Sequence, residues 1–470
     1  MVFSSPIFIF WFLPMVLFFY YLVAKEYRNW VLLFFSLIFY GWGEGRMLTI
    51  MMVSVMLNYF FGLGLENVRT EATKKLTLFF GIAANLSLLL YYKYANFFID
   101  NYNIAASRLG IDPVIWDKVI LPLGISFYTF HGMSYMIDVY RMHVKPQRNP
   151  LKLALYISFF PQLIAGPIIR YKDVQDQIDH RRVDVELFAS GIKRFIIGLA
   201  KKVILANIAG RVPEFVFKMP ENQLTGYYSW LAMLAVSIQI YFDFSGYSDM
   251  AIGLGRMFGF RFLENFNYPI ISQSMKEFWT RWHISLSNFF RDYVYLPLGG
   301  NKKGKFRMYL SLWTIFLLNG IWHGPNWNFL LFGVYHGAWL TLERLGFSRI
   351  LEMFPRWLRS FYVFLAFAFG NIIFSMENLH HIGAFYRSLF NFSTPVDPFS
   401  RLHLYTSAEF YFIMIAGSFL FFPCVEYLFG KIRNERIKPA LEAGLLILLF
   451  IVSLSELANS SYNPFIYFRF

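Results

Sequence analysis

Three of the nine histidines in this chain are candidates for proton-transfer chemistry because of the residues that surround them. His283 lies among serines, His323 is followed by Gly324 and Pro325, and His336 stands in a second apolar segment thirteen positions later. A neutral imidazole takes up a proton near physiological pH, so each is a candidate general acid–base. The other six have no matching polar company and are expected in loops or local hydrogen bonds: His131, His143, His180, His380, His381 and His403.

The setting of His323 is fixed by the two residues after it. Proline disfavours the α conformation of the residue before it, so Gly324 and Pro325 predict a helix end at His323. Irregular backbone at membrane depth is tolerated only where it is buried in protein or lines a cavity. A core histidine bonded to a backbone carbonyl and a general base both fit this setting, and the pattern alone favours the core histidine. The break leaves open whether His336 faces His323.

The sequence contains no signature of metal, nucleotide or nucleophile chemistry. The spacings of 40 and 13 between the three histidines match no zinc site, so no metal is expected. The stretch from Gly246 to Met250 lacks the closing glycine of a nucleophile elbow, and no P-loop or dinucleotide fingerprint is present. The single cysteine, Cys424, excludes a disulfide within the chain, and its apolar surroundings predict packing rather than reactivity.

Two carboxylates, Asp243 and Asp249, interrupt the apolar stretch 227–258. A charge at bilayer depth costs several kcal/mol and usually faces a cavity or a partner. One interpretation is that these carboxylates line a pathway through the protein. The other is that they cap a helix break at Gly246.

An amphipathic helix is predicted over 273–297, where apolar residues recur at three and four positions on one face. On this helix His283 shares a face with Ser287 and Arg291, and such a helix suits the membrane interface or the rim of a polar cavity. The helix ends before Gly299, and the loop that follows it is basic. Its cations are Lys302, Lys303, Lys305 and Arg307.

The elements that position these residues are expected to be membrane helices. Hydrophobic residues make up 57% of the chain and charged residues 15%, against about a quarter in a soluble domain. We therefore predict an all-α, multi-pass integral membrane protein with a single domain over 1–470 and roughly eleven spans. The candidate stretches are 5–24, 30–43, 47–65, 76–98, 119–138, 151–169, 187–209, 227–258, 308–322, 326–343, 359–375, 408–429 and 440–458.

The formal charge of +14 is distributed in a way that excludes nucleic acid as a partner. The cations form short clusters between apolar stretches, as in a polytopic protein that holds those loops on the cytoplasmic side. The first cations, Lys25 and Arg28, follow the first apolar run, which predicts an uncleaved N-terminus on the outer side.

Several of these stretches resemble the membrane-bound O-acyltransferase family. They are similar to its bacterial branch, which holds the membrane subunit of alginate O-acetylation and has a close relative that acetylates peptidoglycan. The matching stretches are 1–5, 121–128, 163–167, 241–253, 277–301, 322–324 and 464–468.

The resemblance implies a ring of tilted helices, with interfacial helices, around a central tunnel. The residues expected to line that tunnel are Asp243, Ser245, Tyr247, Asp249, Ser287, Arg291 and Asn326. The resemblance implies that His323 is catalytic and that His283 is the second polar residue of the reaction chamber, with His336 a third candidate. It also implies acetyl-CoA as donor, whose phosphates are expected to meet Lys302, Lys303, Lys305 and Arg307. It further implies a surface polysaccharide as final acceptor, an extracytoplasmic serine esterase-like partner, and a place in the bacterial inner membrane. A transporter or flippase without chemistry is the alternative, compatible with intramembrane Asp243 and Asp249.

Overall fold

The computed structural model describes residues 1–392, 401–432 and 434–459, and every regular element in those ranges is a helix. The α-helices of the first part are α1 Leu13–Leu22, α2 Arg28–Glu44, α3 Met47–Asn67, α4 Glu71–Arg108, α5 Ile125–Tyr140, α6 Pro150–Ser158, α7 Phe160–Leu163, α8 Tyr171–His180, α9 Val185–Ala200, α10 Asn207–Val216 and α11 Gly226–Met257. Those of the second part are α12 Met275–Arg281, α13 Ile284–Phe290, α14 Gly304–His323, α15 Trp327–Leu342, α16 Ser348–Glu352, α17 Arg356–Ser375, α18 Leu379–Ser388, α19 Ala408–Leu420, α20 Cys424–Lys431 and α21 Ile437–Asn459. Short π-helical segments cover Phe8–Phe12, Lys201–Ala206, Arg291–Tyr295 and Glu343–Phe347, and 3₁₀ turns cover Lys25–Tyr27, Glu221–Gln223, Pro269–Ile271 and Arg401–Leu404.

The chain divides into two compact units. Unit 1 comprises Met1–Ile192 and Ala251–Leu263, and unit 2 comprises Lys193–Met250 and Glu264–Phe470. The single membrane domain expected over 1–470 stays a prediction.

Unit 1 is built on buried aromatic rings that join its N-terminal segment to α2 and α7. The ring centroids of Phe3 and Phe39 are 5.6 Å apart, and those of Phe12 and Phe160 are 5.4 Å apart. The side chain of Phe8 is fully buried among them. Such tilted and edge-to-face pairs add specific geometry to ordinary hydrophobic burial.

Unit 2 contains an antiparallel hairpin of α14 and α15 whose backbones approach closely. A Cβ atom at Gly320 would collide with the carbonyl oxygen of Phe329, and one at Gly333 would collide with that of Phe316. Two glycines that face the partner backbone thus allow the contact, as small residues do between membrane helices. The hairpin places the end of α14 next to the start of α15 in unit 2.

Within the part of the chain that the structure describes, four helices are long and apolar enough to cross a membrane: α3, α4, α17 and α21. A fifth span results if α19 and α20, which are bent by 73° at their junction, are counted together. The roughly eleven spans expected from the sequence stay a prediction. The predicted stretch 227–258 is confirmed as one helix, α11.

Three predicted stretches are wrong as uninterrupted helices, and one of them is 408–429, which bends between α19 and α20. In 119–138 the helix starts only at Ile125, because Gly124 adopts a left-handed conformation with φ of 77°. In 151–169 the helix stops at Ser158, and Phe159 leaves the α region with ψ of 114° before the short α7. Pro161, near the start of α7, lacks the N–H that a continuous helix would need there.

Candidate functional site

The predicted helix end at His323 is confirmed. His323 is the last residue of α14, and Gly324 after it is extended, with φ of −176° and ψ of 160°. A Cβ atom at Gly324 would collide with the ring of Phe329, so only glycine fits this passage without a shift. The chain then enters α15, whose first N–H, from Trp327, is accepted by the side chain of Asn326 at 2.7 Å.

One cavity of unit 2 has both His323 and His336 in its wall. About 480 Å³ of space lies between the lining side chains, of which the centre of a water molecule can occupy about 30 Å³. That room suits a small group or one or two waters rather than a sugar ring. The other lining residues are Ile240, Phe244, Phe278, Trp279, Trp282, Phe332, Phe367, Asn371 and Phe374. We call this space the aromatic chamber.

Aromatic rings hold the two imidazoles in place. The ring centroid of Phe332 is 5.7 Å from that of His323 and 4.5 Å from that of His336. Phe374 packs edge-on against His323 at 5.1 Å, and Trp279 packs edge-on against His336 at 5.0 Å. Both histidines are buried, with 6% and 2% of their surfaces exposed. A base held in so apolar a space is kept from bulk water and its electrostatic interactions are strengthened.

His283 is also buried, but it is not among the residues that line the aromatic chamber. Its ring lies 4.7 Å from that of Phe244 and 6.0 Å from that of Trp322. The ring of Trp322 is in turn 5.0 Å from that of His323. His283 is therefore connected to the aromatic chamber through Phe244, which lines the chamber, and through Trp322, which packs against His323.

The predicted amphipathic helix over 273–297 is wrong as a continuous helix. It breaks at His283, which adopts a left-handed conformation with φ of 45° and ψ of 53° between α12 and α13. The cause is a long-range bond: the carbonyl oxygen of Asn265 accepts from the N–H of Ile284 at 3.0 Å. The single helical face predicted for His283, Ser287 and Arg291 is therefore interrupted.

The predicted helix break at Gly246 is also wrong, since α11 runs through it. Gly246 instead allows a close approach, because a Cβ atom there would lie 2.7 Å from the carbonyl oxygen of Gly198. The two carboxylates of α11 form ion pairs. Asp243 lies 2.6 Å from the ammonium of Lys202. The partners of Asp249 are Arg194 and Lys201, each at 2.7 Å.

The seven residues predicted to line a tunnel do not appear in the wall of the aromatic chamber. Ser245 and Tyr247 are buried on α11, Arg291 pairs with Asp292 at 2.8 Å, and Asn326 caps α15. Their role in a wider tunnel stays a prediction, as it does for Asp243, Asp249 and Ser287. Helix α11 does contribute to the aromatic chamber, through Ile240 and Phe244.

The four cations of the basic loop are all exposed around the start of α14. Lys302 and Lys303 precede the helix, and Lys305 and Arg307 lie in its first turn. With a rise of about 1.5 Å per residue, Lys305 lies about 27 Å along the helix from His323. One straight element therefore connects an exposed cationic cluster to the buried imidazole.

Three histidines predicted to lack polar company have it. The Nδ1 atom of His380 lies 2.8 Å from the carboxylate of Glu221, and that of His381 lies 3.6 Å from the same carboxylate. His143 lies 3.4 Å from Asp138. The hydrogen bond with His380 lowers the pKa of Glu221. The two pairs with Glu221 join residues about 160 positions apart, which explains why local sequence did not reveal them, whereas His143 and Asp138 are only five positions apart.

The sequence missed most of the chamber wall, including Trp279, Phe332 and Phe374. Aromatic residues are so frequent in this chain that another one carries no signal. Asn371 is different, because a polar residue inside the apolar stretch 359–375 is a functional hypothesis in its own right. In the described ranges, no group of three or more His, Cys, Asp or Glu residues is placed to hold a metal ion.

Comparison with known proteins places this site in a family context. A model of the membrane-bound O-acyltransferase family matches residues 141–386, a segment that includes the three candidate histidines. The chain is 41% identical to a probable alginate O-acetylase, AlgI, of Pseudomonas putida, with both chains covered completely. It is 35% identical to a peptidoglycan O-acetyltransferase of Helicobacter pylori, over 73% of this chain and 70% of that one. It is 32% identical to a teichoic acid D-alanyltransferase of Bacillus subtilis, over 55% and 70%.

Proposed function

The chain belongs to the membrane-bound O-acyltransferase family and is an acyltransferase, and from that premise we propose that it transfers acetyl groups for the O-acetylation of a cell-surface polysaccharide resembling alginate. The observation that carries the catalytic part is the aromatic chamber, which holds His323 and His336 at a helix break. The substrate part rests on the relatives named alginate O-acetylases, of which several are similar over their full length.

In the proposed reaction His323 is the general base. Its neutral imidazole takes the proton of an acceptor hydroxyl while the hydroxyl oxygen attacks the acetyl carbonyl carbon of a thioester. A carbon–oxygen bond forms, the carbon–sulfur bond breaks, and the proton passes from the imidazole to the leaving thiolate. His336, in the same wall, or a backbone N–H at the Gly324 break stabilises the negative charge on the carbonyl oxygen.

We propose acetyl-CoA as the thioester. Its phosphates would meet the exposed cluster of Lys302, Lys303, Lys305 and Arg307 on the cytoplasmic side. The acyl end would then reach His323 along the length of α14. The chamber is narrow enough to exclude a sugar ring in this conformation, which favours delivery of a small group at its centre.

The final acceptor is proposed to be a surface polysaccharide reached through an extracytoplasmic partner with a serine nucleophile. That partner's serine, rather than a sugar, would then be the hydroxyl that attacks in the chamber. The setting is the bacterial cytoplasmic membrane. Peptidoglycan is the second candidate acceptor, favoured by the similarity to the Helicobacter pylori enzyme.

The test compares cells that lack the gene and express wild type, His323→Ala or His180→Ala. The control histidine is exposed, at the end of α8. With equal amounts of each protein in the membrane, we expect ester-linked acetate on surface polymer for wild type and control and its loss for His323→Ala. Undiminished acetate in His323→Ala cells would contradict the catalytic assignment, and separating peptidoglycan from exopolysaccharide identifies the acceptor.

A transporter without chemistry is the alternative from another class. Buried Asp243 and Asp249 are compatible with it, although both carboxylates form ion pairs. Transport of an acyl donor or polysaccharide precursor that survives His323→Ala, with no release of free CoA from acetyl-CoA by the purified protein, would favour this alternative.

A further inference from the structure

Asn265 is fully buried in the segment between α11 and α12, and its amide is bonded to the segment that carries His283. Its Oδ1 atom accepts from the N–H of Ser285 at 3.1 Å and from the hydroxyl of Ser285 at 2.9 Å. The same Oδ1 atom lies 3.2 Å from Nδ1 of His283. One amide oxygen thus accepts from the backbone N–H of Ser285 and also contacts the imidazole of His283.

These contacts determine which atom carries the proton on the imidazole. A backbone N–H can only donate, so the side-chain atom of Asn265 that faces the N–H of Ser285 is the oxygen and not the amide nitrogen. An unprotonated Nδ1 of His283 would then place two acceptors against each other at hydrogen-bond distance. A neutral His283 therefore carries its proton on Nδ1 and its lone pair on Nε2.

The backbone at His283 makes the same arrangement hard to change. A non-glycine residue with positive φ is uncommon and must be held by its surroundings. Asn265 supplies that support at two points, because its carbonyl accepts from Ile284 and its side chain accepts from Ser285. The ring of His283 is confined further by Phe244, against which it packs nearly perpendicular at 86°.

We propose that Asn265 is a positioning residue for acyl transfer, which holds His283 in the Nδ1-protonated tautomer so that Nε2 serves as an acceptor and not as a donor. This inference rests on the proposed function and deepens it. An acceptor at Nε2 cannot donate to the developing oxyanion, so the stabilising donor must be a group other than His283. His283 is left to accept and relay a proton or to orient a donor group.

The pH dependence of His283 is also influenced by the charged groups on the elements around it. On α11, Asp243 beside Phe244 is paired with Lys202. On α12, Glu277 is paired with Arg281 at 2.9 Å. On α14, His323 follows the Trp322 that contacts His283.

The direct test is ¹⁵N NMR of purified protein labelled at histidine, with the signal of His283 assigned by its loss in His283→Gln. We expect a protonated Nδ1 and an unprotonated Nε2 in wild type. The opposite tautomer would overturn the proposal. This readout does not depend on activity, so it fails or succeeds separately from the proposed function, which His323→Ala tests.

Three variants extend the test to activity, each compared at equal membrane levels and equal Tm. Asn265→Leu removes the acceptor and should lower acetyl transfer about tenfold or more, as loss of a partner that orients a functional histidine does. Asn265→Asp keeps the oxygen but adds a charge that favours imidazolium, so it should retain activity at high pH with its acid limb moved up by about one pH unit. The exposed Asn267→Leu, in the same segment, should behave as wild type. Wild-type activity in Asn265→Leu, or an unshifted acid limb in Asn265→Asp, would overturn the proposal.

Discussion

The imidazoles of His323 and His336 line one cavity, although a broken helix and thirteen residues separate them in the chain. The hairpin of α14 and α15 makes this possible, since it folds the residues after the break back along the helix before it. Phe332 contacts both rings and fixes their separation. The two histidines therefore lie in one apolar environment, and a change in the wall beside one of them should affect the other.

Gly370 on α17 packs against His336 and offers a mild way to displace that imidazole. A Cβ atom there would lie 3.0 Å from Nε2 of His336 and 3.2 Å from the ring of Tyr335. We expect Gly370→Ala to lower kcat about tenfold, because small misplacements of a reacting group are costly. The matched control is Gly383→Ala, whose new Cβ atom would lie 3.6 Å from the guanidinium of Arg387, an ordinary contact. Equal kcat values for the two variants would show that His336 need not be placed accurately.

The basic loop should determine donor affinity rather than the chemical step. Reversing Lys302 and Lys303 to glutamate should raise the KM for acetyl-CoA about three- to tenfold with little change in kcat, since exposed charges contribute modestly. The difference in KM between this variant and wild type should become smaller at higher salt, because salt screens the charges. The control reverses Lys74 and Lys75 at the start of α4, a cluster outside unit 2. An unchanged KM in the first variant would remove the donor-binding role.

Loss of one partner of the ion pair between Lys202 and Asp243 should lower the stability of the protein more than loss of both. Both side chains are almost fully buried, with 3% and 2% exposed. Replacing Asp243 with leucine alone should lower the free energy of unfolding by about 3–5 kcal/mol, because it leaves a buried ammonium without this counter-charge.

The double variant Lys202→Met, Asp243→Leu should recover most of that loss, and thermal unfolding in detergent gives the comparison. Glu214→Leu provides the control, because its partner Lys218 is exposed and the pair contributes little. A double variant as unstable as Asp243→Leu would mean that the ion pair is not the source of the effect.

Local rules predicted the features that depend on neighbouring residues. Pro325 identified the helix end at His323, and the apolar run 227–258 identified α11 nearly to its bounds. The family resemblance, rather than the pattern, implied a catalytic role for His323, and that role stays a prediction. His336 was a further candidate, but the break removed the helical phase that would have related it to His323.

Long-range contacts account for what local rules missed. The helix predicted through His283 breaks because Asn265, 18 residues earlier, accepts from the backbone N–H groups of Ile284 and Ser285. Asp243 was assigned to a helix break or a tunnel because Lys202, its partner, lies 41 positions away on another element. The chamber wall escaped notice because it consists of aromatic residues in a chain where 21% of residues are aromatic.

The most direct test of His323 as the general base is the release of free CoA from acetyl-CoA by purified protein in liposomes, with an acceptor hydroxyl supplied and wild type compared with His323→Ala. General-base catalysis of this kind contributes about 10²- to 10⁴-fold, so we predict a fall in kcat of at least about 100-fold with an unchanged Tm. A His323→Ala protein that is folded and releases CoA at the wild-type rate would contradict it.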